Sequence, residues 1–377
     1  MTEPKLPQVQ LTEYLYQRSS ALHYPLSGTF ELSPVCNFAC RMCYIRKTQR
    51  EVDASPRPIF TLADWRRIAA EAREAGMLFL LLTGGEPLLW PDFWTLYEEL
   101  IHMGFLISIN TNGSLIDEEA VARFRALPPR RINITLYGAG DESYHRLCGV
   151  GGVYGRVDRA IRGLRAAGVP VKLNCSLTPL NAPDLETMVA YARDLGLTLD
   201  ATAYMFPPVR RDEGQIGVNE ARFTPEEAAG YRLEIYRLQS GEAAYRQLLR
   251  DILDGYTEPP GLDEGCVDPL DGRIRCRAGK ASFWITWDGY MTPCGLMNRP
   301  RVDLRQTTFA GAWEEIVRRS AAMTLSGACE KCSNCGVCHP CAAMALAETG
   351  SPEGIPTYLC RTVQEMERIA RETLEQL

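Results

Sequence analysis

The sequence predicts an α/β protein: a parallel sheet curled into a partial (β/α)6 TIM-like barrel, followed by a small cysteine-rich C-terminal domain. Two observations carry this. Between Gly28 and Met205, apolar runs of strand length alternate with helix-like segments about six times, at a spacing of roughly 25–35 residues, the pattern of repeated βαβ units. The 14 cysteines are also unevenly placed, with three at 36–43 and nine between Cys266 and Cys360, while only Cys148 and Cys175 stand apart as packing residues.

In order, residues 1–27 form an N-terminal extension in which Leu11, Tyr14, Leu15 and Tyr16 suggest a short helix or strand lying against the barrel. The barrel occupies 28–206. Thr29–Ser33 reads as the first strand. Thr61-Leu-Ala-Asp64 is a capping box that opens a helix running to Gly76. Met77–Thr83 is a continuous apolar run, the mark of a strand buried on both faces, and it empties into Gly84-Gly85-Glu86-Pro87. Further strands are expected at 105–110, 131–137, 169–177 and 197–205, separated by helices near 91–103, 117–127, 153–167 and 183–195. Right-handed crossovers put every strand's C-terminal end at one rim, where the connecting loops meet. Residues 207–259 comprise an insertion loop and a helical stretch at about 224–254, and Pro259-Pro-Gly261 marks a boundary. Residues 260–361 are cysteine-rich and poor in long periodic segments, so this part needs metal to fold stably. An amphipathic helix at 362–377 closes the chain.

A net charge of −6 without a long basic run excludes nucleic acid as a main partner. Met1-Thr-Glu-Pro-Lys-Leu-Pro lacks the basic and apolar regions of a signal peptide, and no stretch of about 18 apolar residues could cross a membrane. The expectation is a cytoplasmic protein with no membrane partner. Thiols stay reduced in that compartment, so 14 cysteines point to metal rather than disulfides.

The chemistry centres on Ser33-Pro-Val-Cys36-Asn-Phe-Ala-Cys40-Arg-Met42-Cys43-Tyr44, a C-x3-C-x2-C run. Four thiolates saturate a zinc ion or a cubane, whereas three hold three irons of a 4Fe–4S cluster and leave the fourth open to a ligand. A zinc loop or buried thiols are the alternatives. With Gly84–Pro87 following some 40 residues later at the end of a strand, the pair of motifs resembles the radical S-adenosylmethionine (radical SAM) enzymes. That resemblance implies that Cys36, Cys40 and Cys43 ligate the cluster whose open iron chelates SAM, and that Gly84, Gly85, Glu86 and Pro87 bind the methionyl amino group. It also implies that Met42 contacts the adenine. Asn112, Thr135 and Asn174 are candidates for the ribose and carboxylate.

The later cysteines resemble the SPASM extension of that family. Cys276, Gly289 and Cys294 match C-x(9–15)-G-x4-C, and Cys329, Cys332 and Cys338 match C-x2-C-x5-C. Cys341 departs from the pattern by one residue, and Cys335 is surplus. The resemblance implies two auxiliary 4Fe–4S clusters. One is held by Cys276, Cys294 and Cys341 with Cys266 as a possible fourth ligand, the other by Cys329, Cys332, Cys338 and Cys360. An open iron at the Cys266 position would favour thioether formation. Zinc ribbons are the competing reading of repeated C-x2-C.

The implied function is reductive cleavage of SAM to a 5′-deoxyadenosyl radical that takes hydrogen from a peptide or protein, most readily in maturing a ribosomally made peptide, with flavodoxin or ferredoxin as electron donor. Residues 1–27 are too few for a leader-peptide-binding domain. Sulfatase-type protein oxidation is an alternative, but that group carries aspartate directly after the Gly-x4-Cys cysteine, where this chain has Gly295 and Leu296. Tyr137, Tyr204 and Tyr290 are candidates for handling the proton instead. Small-metabolite or cofactor biosynthesis is a further alternative. An electron-transfer or zinc-binding module would account for the cysteines but not for Gly84–Pro87.

Overall fold

The computed structural model describes residues 11–255 and 276–376. Cys266 and the boundary at Pro259–Gly261 lie outside the described residues. Six parallel strands, β1 (Ser27–Glu31), β2 (Phe79–Thr83), β3 (Leu106–Thr111), β4 (Arg131–Thr135), β5 (Val171–Ser176) and β6 (Leu199–Thr202), lie side by side in chain order. The helices Leu62–Glu74, Phe93–His102, Glu118–Ala126, Tyr154–Ala166 and Leu185–Asp194 connect them. The capping box expected at Thr61 is present, with Thr61 Oγ1 accepting from the Asp64 N–H at 3.2 Å and the Asp64 carboxylate accepting from the Thr61 N–H at 2.9 Å.

The cysteine-rich part does not begin as a detached unit. β7 (Ser282–Ile285) pairs in parallel with β1, and β8 (Tyr290–Thr292) and β9 (Val302–Asp303) continue antiparallel from it, making one nine-stranded sheet. Beyond it lie a helix at Phe309–Ala321, which the sequence reading passed over, and two four-residue helices, Gly327–Glu330 and Cys335–Cys338.

The sheet has two unlike faces. Phe30, Leu82, Ile107, Ile109, Ile132, Ile134 and Leu173 are fully buried in the main apolar core, shared with the helices. Alternate residues face the other way: Thr29, Leu81, Ser108, Asn110, Arg131 and Asn133 line a concave cavity of about 550 Å³. The expectation that Met77–Thr83 is buried on both faces therefore needs correction. Phe79 and Leu81 stay half-buried: both line this cavity, where the ring of Tyr16 stacks on Phe79 at 5.6 Å.

The sequence also missed the helix Asp141–Cys148. The stretch expected at 224–254 is two helices, Pro225–Ser240 and Glu242–Leu253, separated by Gly241 at φ +80°. The last helix runs Thr357–Glu375, starting earlier than expected, so Cys360 sits in its first turn. Val363, Met366 and Ala370 pack it against Ala229, Leu233, Leu249 and Ile252 of that helix pair.

Candidate active site

The loop after β1 carries Cys36, Cys40 and Cys43 and is stitched to its surroundings by backbone. The Gly85 N–H donates to Ser33 O at 2.7 Å and the Glu86 N–H to Val35 O at 3.0 Å. From the opposite side, the Ala39 N–H donates to Cys148 O at 2.7 Å and the Arg41 N–H to Leu147 O at 3.0 Å. A Cβ on Gly84 would stand 2.4 Å from Ser33 O, and one on Gly85 2.5 Å from Val35 O. The close approach these glycines permit is thus to the cysteine loop itself, although Gly85 also faces the cavity.

Asn112 closes a ring of side chains under the loop. Its Nδ2 donates to Asn37 Oδ1 at 2.9 Å, Asn37 Nδ2 donates to Ser114 Oγ at 2.9 Å, and Ser114 Oγ donates to Asn112 Oδ1 at 2.7 Å. Two backbone N–H groups point at sulfur, Phe38 N–H to Cys36 Sγ and Arg46 N–H to Cys43 Sγ, both at 3.3 Å.

Cys36, Cys40 and Cys43, with Met42 and Gly85, form one wall of a cavity of about 340 Å³. Tyr137, Ser176 and Thr202 come from the ends of β4, β5 and β6, and Tyr204, Phe206 and Leu296 close the far side. Among the described lining residues there is no aspartate, glutamate or histidine. Burial pushes the Cys36 thiol up to about 12 and also raises Cys43. Cys40 is lowered, chiefly by a hydrogen bond with the Cys148 side chain, which lies behind it and outside the cavity lining.

These residues fit an iron–sulfur cluster. Three thiols share one sheltered wall, amide donors are aimed at two of the sulfurs, and a cationic group bound there would draw the buried Cys36 and Cys43 thiols into the thiolate form. Among the described residues no three His, Cys, Asp or Glu side chains are grouped around a single metal ion. A cubane does not require that convergence, because each thiolate binds a different iron.

The other predicted residues are distributed unevenly. Met42 is buried against the cavity, and Gly85, half-buried, lines it as well. Glu86 is fully buried, and its carboxylate accepts from Thr111 Oγ1 at 2.8 Å, the Asn112 N–H at 2.8 Å and the Leu88 N–H at 3.1 Å. These bonds tie the β2 and β3 loops together at the carboxylate expected to meet an ammonium group. Burial raises it to about 7. Pro87 is buried in the 3-10 turn that follows. Thr135 and Asn174 face each other across β4 and β5, but Tyr137 and Ser176, two residues further along, reach the cavity.

Of the tyrosines considered for proton handling, Tyr204 lines the cavity and donates to Glu348 at 2.7 Å, and Glu348 is held by Arg222, also at 2.7 Å. Tyr137 lines the cavity as well, whereas Tyr290 stacks with Arg57 and Arg301 on the C-terminal hairpin.

The later cysteines fall into two neighbourhoods. Cys276 and Cys294 line the concave cavity together. Burial pushes Cys294 up to about 11, and Cys341 beside it adds to the rise. Burial pushes Cys338 up to about 12, with Cys360, Cys329 and Cys332 contributing. Cys335 is buried next to this second group and near Cys329.

Comparison with known proteins gives a consistent picture. Residues 30–192 match the radical SAM superfamily. An AdoMet-dependent heme synthase of Methanosarcina barkeri is 25% identical over 329 residues, covering 85% of this chain and 92% of that protein. Mycofactocin maturase MftC of Mycobacterium ulcerans is 27% identical over 354 residues, covering 91% and 90%. Streptococcus suis SuiB bound to its precursor peptide SuiA shares the fold, with a TM-score of 0.62 at 17% identity over 92% of this chain and 78% of that one.

Proposed function

We propose that this chain is a radical SAM/SPASM-type oxidoreductase that matures a peptide, a reading supported by the match of residues 30–192 to the radical SAM superfamily. The observation that carries the reading is the set of three thiols on one wall of a single cavity, with Met42 and Gly85 beside them and no fourth cysteine among the described lining residues. When bound there, a 4Fe–4S cluster and SAM supply a 5′-deoxyadenosyl radical able to take hydrogen from an unactivated carbon.

The chain's own residues would do the rest. Met42 offers an apolar surface to the adenine. Ser176 and Thr202 present hydroxyls from the strand ends, within a lining otherwise largely apolar. Tyr204, Phe206 and Leu296 shelter the site from water. Cys276, Cys294 and Cys341, with Cys266 outside the described residues, and separately Cys329, Cys332, Cys338 and Cys360, would hold two auxiliary clusters. Their service is to accept the electron left on the product. A flavodoxin- or ferredoxin-type donor would supply the reducing electron in a reducing, cytoplasmic compartment. Among the described residues no helix is long and apolar enough to cross a membrane.

Support for a peptide comes from the mycofactocin maturase relative and from the shared fold of SuiB, whose structure holds a precursor peptide. The heme synthase relative favours a second reading, a cofactor-sized metabolite. Anaerobic reduction in the presence of SAM should release 5′-deoxyadenosine. Protein that holds iron yet releases none would overturn the proposal. Hydrogen loss from short peptides encoded beside this gene, read by mass, decides between peptide and metabolite.

A further inference from the structure

The insertion loop after β6 sends one side chain deep into the molecule. Arg210 is 7% exposed at its side chain and meets the fully buried Glu31 of β1 in a two-pronged ion pair, at 2.8 Å and 2.9 Å. The indole N–H of Trp284 on β7 donates to the same carboxylate at 2.9 Å. Arg210 Nη1 also donates to the carbonyl of Gly295 at 2.7 Å, and Gly295 follows Cys294 directly. The guanidinium lies 5.8 Å from the ring centre of Tyr44, which follows Cys43.

One cation therefore touches the neighbours of a signature-loop cysteine and of an auxiliary-site cysteine. The placement has a second side. Tyr44 and Leu296 each line both the signature cavity and the concave cavity that holds Cys276 and Cys294. The partition between the two cavities is thus held at Tyr44 and next to Leu296 by the same guanidinium.

We infer that the Arg210–Glu31 pair is a positioning element between the signature loop and the first auxiliary site: it fixes the Cys294 loop through the Gly295 carbonyl, and its two opposite charges set the reduction potential of the cluster held at Cys294. This rests on the cluster assignment proposed above. A buried charge left without its partner acts on a nearby metal centre with little screening, and the potential of an iron–sulfur cluster responds to local charge and hydrogen bonding. Removing the Glu31 charge leaves an extra positive charge and favours the reduced, more negative cluster. Removing the Arg210 charge does the reverse. The pair's distant counterpart, the group of Cys329, Cys332, Cys338 and Cys360, has Arg232 as its cationic neighbour and should feel little of this.

The test uses full-length protein reconstituted anaerobically with iron and sulfide: wild type, Glu31→Gln, Arg210→Gln and the double variant. Electron paramagnetic resonance-monitored redox titrations would be read beside iron content, with the first auxiliary signal assigned by its loss in Cys294→Ala and the second by its loss in Cys329→Ala. The expected result is a midpoint potential at the Cys294-dependent signal that rises in Glu31→Gln, falls in Arg210→Gln and returns toward wild type in the double variant, with the Cys329-dependent signal nearly still. A purely structural role gives no reason for shifts whose signs follow the charge removed and that cancel in the double variant. Unmoved potentials, or shifts of the same sign, would overturn the inference while leaving the proposed activity standing. Should Arg210→Gln lose iron, Glu31→Gln alone still decides by the sign of its shift. A wild-type protein without iron would overturn both this inference and the reading it rests on.

Discussion

The two cysteine regions are built on opposite principles. The signature loop at Cys36–Cys43 is held on every side by protein: backbone bonds to Gly85 and Glu86, further bonds to Leu147 and Cys148, and the Asn112–Asn37–Ser114 ring beneath it. The segment from Gly327 to Cys341 has two four-residue helices, with Cys332 exposed and Cys329 and Cys338 only half-buried. Elements so short cannot supply their own core. The first region presents a shape that cofactors enter; the second, on the proposed reading, would take its shape from the clusters it binds.

The sharpest way to break this contrast is to deform each region at a glycine. Gly85→Val places a side chain against the backbone carbonyls of Pro34 and Val35, which cannot yield without moving the cysteine loop. It should cost about 3 kcal/mol of stability, measured by denaturant unfolding, and should cost the protein the signature iron while sparing the auxiliary iron. The matching change in the other region, Gly327→Ala, meets no atom within 4 Å and should shift stability by less than about 0.5 kcal/mol.

Glu86 gives a pH test confined to the first region. Burial raises its carboxyl from 4.5 to about 7. The folded state therefore favours the protonated form, and this contribution is full below the unfolded value and lost as pH rises through the folded one. The shift corresponds to about 3 kcal/mol declining between roughly pH 4.5 and 7. Unfolding free energies across that window should fall in the wild type and run flatter in Glu86→Gln. Equal slopes would show that the buried carboxyl does not titrate as its surroundings dictate.

Asn112→Ala opens the ring under the loop and leaves Asn37 and Ser114 short of partners, at about 1–2 kcal/mol by denaturant titration. A smaller effect than at Asn112 is expected where the barrel rim meets the C-terminal helices. Tyr204→Phe removes one hydrogen bond to Glu348 while Arg222 still holds that carboxylate, for about 1 kcal/mol or less. If chelating the iron from wild-type protein leaves residues 327–341 as resistant to protease as the barrel, the contrast between the regions is wrong.

Much of this was readable in the chain itself. Apolar runs set the strands within a few residues, because the outer face must be covered by helices whatever the ligand. Cys36, Cys40 and Cys43 were legible because their spacing is local. What the sequence hid was long-range. Nothing near Glu86 in the chain reveals that Thr111 and Asn112 come round to donate to its carboxylate. Arg210 lay in a segment without periodicity, and its partner Glu31 stands 179 positions earlier. The joining of β7 to β1 was equally invisible, since a parallel pairing across most of the chain leaves no local trace.

Iron and sulfide content after anaerobic reconstitution tests the central claim most directly, with wild type set beside the Cys36/Cys40/Cys43→Ala variant. Three 4Fe–4S clusters predict about twelve irons per chain in the wild type and about eight in the variant. Zinc in place of iron, or an iron count unchanged by the three substitutions, would contradict the account.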